Sequence, residues 1–123
     1  MTEGPYREGI EARGAVLVST TNEIGGHVVT QYLGIVRGIV VRSPSLGQGL
    51  MGSLKALGGG NIAEFTRVCE AARHEAFEQM VEHAQALGAD AIVGMRYDAT
   101  EFMQGATEVL AYGTAVRLAP ARD

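Results

Sequence analysis

Between Gly60 and Gly88 the chain runs without glycine or proline, and this stretch constrains the fold more than any other feature. Asn61 supplies an N-cap and Glu64, three residues later, completes a capping-box-like start. Gly88 is the natural residue to leave the helix in a left-handed conformation. The spacing therefore predicts one helix of roughly 27 residues and about 40 Å, longer than a small sheet is wide. At about 100° per residue, Ile62, Phe65, Cys69, Ala72, Ala76, Met80, His83 and Leu87 fall on one face. Arg67, Ala71, His74, Glu75, Glu78, Glu82 and Gln85 lie opposite. Val68, Phe77 and Val81 widen the apolar arc beyond what one sheet covers, so a second surface, plausibly another subunit, is expected to bury the excess.

The rest of the chain reads as strands. Gly14 to Thr21 is a short β-branched run followed by the turn signals Asn22 and Gly25-Gly26. In Tyr32 to Arg42, Leu33, Ile35, Ile39 and Val41 alternate with Gly34, Val36, Gly38 and Val40, so both faces of this strand look covered. Gly34 and Gly38 share a face, and the missing side chains there invite a helix or strand to approach the backbone closely. Ser43 to Gly60 is a glycine-rich connection with a possible short helical turn at Leu50 to Leu57. Ala91 to Tyr97 is a third strand with Gly94 inside it, Asp98 to Gly105 is polar and mixed, and Thr107 to Leu118 is a fourth strand. The order is ββαββ, which implies an α+β fold with an antiparallel-rich curved sheet packed around one long helix. Residues 1–13 are expected to be a flexible N-terminal tail, 14–119 a single domain, and 120–123 a C-terminal tail.

Composition narrows the function. The chain has 123 residues and a formal charge of -4, which disfavours a polyanion-binding surface and hence nucleic acid as a partner. A single cysteine, Cys69, excludes an intrachain disulfide and makes a reducing, cytoplasmic setting the default. The longest mostly apolar stretch, Tyr32 to Val41, is too short for a spanning helix and is interrupted by Arg37, so no membrane association is expected.

Several stretches together carry a family likeness: Val18-Ser19-Thr20-Thr21, Leu33 to Gly38 with Val41-Arg42-Ser43, Leu57-Gly58-Gly59-Gly60, Glu70-Ala71 with Arg73, Glu75 and Ala76, and Leu87 to Asp98. In this order and spacing the sequence resembles the YbjQ-like family of small bacterial proteins, often labelled heavy-metal-binding. The resemblance covers nearly the whole chain after residue 14. It implies a fold similar to dodecin-type subunits, assembly as a ring-shaped homopentamer, and no established activity. No ligand motif of that family transfers residue by residue.

For metal, the strongest arrangement on the residues themselves is Glu70, His74 and Glu78, four apart on one helical face, where two or three could grip a divalent ion. A solvated charged face explains the same spacing. His83, nine residues from His74, points the other way and sits on the apolar face beside Met80 and Leu87, which suits a satisfied core or interface histidine as well as a ligand. Cys69 on the same stripe reads as a small buried hydrophobe. Gly47-x-Gly49-x-x-Gly52 matches a dinucleotide fingerprint, but no helix opens there, so a flexible or oligomer-facing loop is the better reading. Gly58-Gly59-Gly60 before the helix could hold an anion or simply form a tight entry turn. Neither a P-loop nor a nucleophile elbow is present, and no catalytic constellation is visible. Asp90, Asp98 and Glu101 flank the third strand as turn and cap residues do. Arg37 and Arg96 stand within apolar strands and are expected to pair with carboxylates such as Glu108 across the sheet or a subunit boundary, or less readily to line a pore. These readings favour a non-enzymatic, homo-oligomeric binding protein with a metal or small ligand at subunit interfaces. A scaffolding oligomer and an enzyme with an inter-subunit active site are the alternatives.

Overall fold

The computed structural model describes residues 15–42 and 62–122. Its elements are β1 (Leu17–Val18), β2 (His27–Arg42), α1 (Ile62–Ala86), β3 (Ala91–Met103) and β4 (Ala106–Pro120). The expected ββαββ order and α+β class are what the chain adopts. The strands form one open mixed sheet in the order β1-β3-β4-β2. β1 is parallel to β3, whereas β3 with β4 and β4 with β2 are antiparallel. The N-terminal tail, the connection with its glycine motifs, and the Asn61–Glu64 cap interaction lie outside the described residues.

α1 lies across one face of the sheet, chiefly on β2 and β4. Its buried residues are Ala72, Ala76, Met80 and Ala84, each four apart as one helical face requires, with Phe77 beside them. They meet Val36 and Val40 of β2, Ile92 and Met95 of β3, and Val109, Ala111 and Ala115 of β4. Gly38 explains how near the helix comes. A Cβ built there would fall 2.0 Å from the Ala76 carbonyl oxygen and 2.8 Å from the Met80 nitrogen, so only a residue without a side chain fits under the helix backbone. The close approach expected at Gly38 is present. At Gly34 it is not: no atom lies within 4 Å of its virtual Cβ, and its φ of 121° belongs to an irregularity in the pairing of β2 with β4.

Ala72, Ala76 and Met80 are buried as expected, but the helical face is shifted at its edges. Cys69 and His83, placed by periodicity on the apolar stripe, are both exposed, and Leu87 lies beyond the helix end at 43% exposure. The true stripe is built of alanines, which carry little weight in a hydrophobicity count but let the helix sit close to the sheet. Phe77, expected to spread beyond the sheet, is covered by it at 6% exposure. The unburied apolar surface lies mostly on β2, where Tyr32, Ile35, Ile39 and Val41 are exposed, with Phe102 and Met103 exposed at the end of β3.

Strand limits differ as well. β2 begins at His27 instead of Tyr32, and β3, expected to end at Tyr97, runs on to Met103 through the segment read as polar and mixed. Glu101 braces the turn that follows, its Oε2 accepting from the Gly105 N–H at 3.0 Å. Pro120, assigned to the C-terminal tail, is the last residue of β4 and pairs with His27, and the Ala121 N–H donates to the Gly26 carbonyl at 2.9 Å. The helix does stop as Gly88 predicts: φ is 78° there, and its N–H donates to the Gln85 carbonyl at 3.0 Å.

Candidate functional site

The residues singled out for chemistry do not converge. On the outer side of α1, His74 Nε2 lies 3.3 Å from Glu78 Oε2, with the two side chains 41% and 63% exposed. Glu70 is one turn earlier and exposed, and among the described residues no group of three or more His, Cys, Asp or Glu side chains is arranged to hold a metal ion. The Nδ1 of His74 is buried without a hydrogen-bond partner, so the nitrogen that reaches outward is the one already facing Glu78. In one chain this is a two-donor surface pair, half of what a tetrahedral site needs.

His83 is occupied elsewhere. Its Nδ1 accepts from the backbone N–H of Arg37 at 3.3 Å, and one turn earlier the Oε1 of Gln79 accepts from the Ile39 N–H at 3.0 Å. Both contacts are to β2, an edge strand of the sheet. Periodicity could not reveal them, because they depend on which strand edge the helix overhangs.

The uncovered face of the sheet carries the two arginines. Register sets Arg37 opposite Tyr112 and Tyr112 opposite Arg96, one row across three strands; the next row is Ile39, Leu110 and Asp98. Glu108 stands opposite Val41 and Thr100, four residues along β4 from Tyr112 and so roughly 13 Å away. The expected pairing of the arginines with Glu108 across the sheet is therefore not made. Arg96 instead donates from Nη1 to the Thr20 carbonyl at 3.0 Å and the Met95 carbonyl at 2.8 Å, fastening the segment after β1 to β3. That segment also receives the Gly94 N–H on the Thr21 carbonyl at 2.8 Å, at a bulge where Gly94 has φ 62°.

An open cleft of about 450 Å³ lies at the other end of this face, lined by Ala15, Leu17, His27, Asp90, Leu118 and Pro120 among others. His27 Nδ1 is 3.0 Å from the Gly25 carbonyl and must donate to it, which leaves Nε2 as the free nitrogen. Asp90 Oδ2 accepts from the Leu118 N–H at 2.9 Å and stands 4.0 Å from Arg117 Nε. These are the bonds of a cap: Asp90 ties the loop leaving α1 to the end of β4, as its position before a strand suggested.

Comparison with known proteins fits this fold. A family model described as "YbjQ_1: Putative heavy-metal-binding" matches residues 16–119. A UPF0145 protein of Legionella pneumophila (strain Lens) is 58% identical over 101 residues, covering 82% of this chain and 96% of the relative. A UPF0145 protein of Chromobacterium violaceum is 58% identical over 106 residues, covering 86% and 91%. Among solved structures, a protein with unknown function from the DUF74 family of Pediococcus pentosaceus superposes with a TM-score of 0.54 at 16% identity, covering 85% of this chain and 98% of that one. At that identity the last likeness concerns the fold alone.

Proposed function

From the premise that the chain belongs to the YbjQ-like family, we propose that it is a subunit of a cytoplasmic ring-shaped homo-oligomer whose role is binding and not catalysis. The observation that carries this is β2. It is a 16-residue edge strand with Tyr32 at 71%, Ile35 at 68% and Ile39 at 40% exposure. An apolar row on a long open edge is what a lone chain avoids and an interface uses. Five subunits is the number the family resemblance implies.

The ligand reading follows from incomplete sites. His74 and Glu78 supply two donors, and a divalent metal held there would take its remaining ligands from a neighbouring subunit, with Glu70 as the nearest addition on the same helix. A small ligand at a subunit boundary is the variant in which metal plays no part. Native mass spectrometry of protein purified without chelator tests the whole reading. A fivefold mass with stoichiometric retained metal or organic mass supports it, and a clean pentamer favours a scaffold. A monomer overturns the assembly.

A further inference from the structure

We infer that His83 is a proton-operated latch on the open edge of β2. Three independent features meet there. First, β2 pairs with β4 on one side only, so every second N–H on its other side has no strand to donate to. Second, two of those N–H groups, on Arg37 and Ile39, donate to side chains of α1, at His83 Nδ1 and Gln79 Oε1. Third, Gly38 between them lets the helix backbone come close enough for short reach, with Ala76 O, Gln79 Cβ and Met80 N all crowding the position of its missing Cβ. The spacings agree. Residues four apart on a helix are separated by about 6 Å along its axis, and residues two apart on a strand by about 6.6 Å. One helix face can thus close two consecutive outward N–H groups without straining either bond.

The two closures differ chemically. An amide oxygen accepts at any ordinary pH. An imidazole Nδ1 accepts only when the ring is neutral and its proton is on Nε2; once the ring is protonated, Nδ1 carries a hydrogen and faces another donor. The Arg37 N–H then loses its acceptor and the imidazolium must turn away. Histidine side chains make this change of charge within about pH 5 to 8. The elements that meet at His83 are α1 and β2; their charged residues on this side are Glu82, next to His83 in sequence, and the Arg42–Glu75 pair two turns toward the helix start on the row of Gln79 and His83. The side chain of Arg37 is on the other face of the sheet, and His74 and Glu78 point away from β2. Acidification thereby unblocks the edge at Arg37 while Ile39 stays closed, extending the stretch of β2 able to accept a further strand.

Amide hydrogen exchange read by NMR on the full chain from pH 8 to pH 5, after correction for intrinsic exchange, tests this. Protection of the Arg37 amide is expected to fall about tenfold on acidification, the scale of one hydrogen bond, while that of Ile39 holds. In His83→Gln, which keeps an acceptor that does not titrate, both amides should stay protected throughout; in His83→Phe, Arg37 should be unprotected at every pH. The inference is overturned if Arg37 keeps its protection at pH 5, if both amides lose it together, or if His83→Gln retains the wild-type profile. The latch stands apart from the assembly reading: a monomeric mass would defeat that reading and leave this outcome to be decided by the one amide.

Discussion

The two halves of β2 share a strand and little else. From Val36 onward, alternate residues Val36, Gly38 and Val40 are buried under α1, and two outward N–H groups are closed by Gln79 and His83. Before it, Val28, Tyr32 and Ile35 are exposed and the ladder to β4 is interrupted twice by irregularities. Both halves are rich in β-branched and aromatic residues, so composition does not separate them. What separates them, on the side that faces the helix, is whether α1 sits above, and that depends on a single residue small enough to admit it; on the other side Ile39 and Val41 are exposed as Ile35 is. Apolar character makes a strand; a glycine at the crossing point decides which part of it becomes core.

The most direct way to break the comparison is to fill that point. Gly38→Val should cost more than about 3 kcal/mol, because the clash is with helix backbone that cannot rotate aside. Urea unfolding followed by circular dichroism would measure it; a loss below about 1 kcal/mol would mean the helix does not rest on β2 as described. Next in size is Met80→Ala. Met80 is 0% exposed and is among the largest fully buried side chains, so truncation should cost about 3 kcal/mol through lost burial and a residual cavity. Glu75→Gln acts at the far end of the covered half, where Arg42 Nη2 lies 3.2 Å from Glu75 Oε1 and both side chains are about half exposed. That pair should be worth about 0.5 kcal/mol or less, and the difference from wild type should vanish in 1 M salt.

Much of this contrast was legible beforehand, and the failures have physical causes. The helix and its stop were readable because an uninterrupted helical segment closed by a left-handed glycine is decided locally. The approach at Gly38 was readable because a glycine inside an apolar strand asks for a close neighbour. The exposed ends of β2 and β3 were not: residues 98–103 are exposed on both faces, so no period-two pattern marks them, and backbone pairing alone holds them. The helical face was misjudged only at its edges: Ala72, Ala76 and Met80 are buried as expected, but Ala84 packs by shape instead of bulk and so left no mark, while Leu87 drew the stripe toward its own side. Of the candidate site, His74 and Glu78 were brought together by helical spacing, which a sequence contains. The contacts of His83 and Arg96 join segments 46 and 76 residues apart, and spacing carries no trace of them.

The smallest expected effect on the fold is also the sharpest test of the comparison. Ile35 and Val36 are adjacent, yet one is 68% and the other 0% exposed. Within an isolated chain, Ile35→Ser removes almost no buried surface and should change folding stability by less than about 0.5 kcal/mol. If the face of β2 away from α1 is covered by a neighbouring subunit, the same substitution removes apolar contact from that interface and its cost moves from folding to association. Sedimentation across a dilution series separates the two. A variant that unfolds at the wild-type urea concentration as a dilute monomer but dissociates at higher protein concentration than wild type places Ile35 in an interface. Equal dissociation would return it to solvent, and the apolar row on the face of β2 away from α1 would need another explanation than assembly.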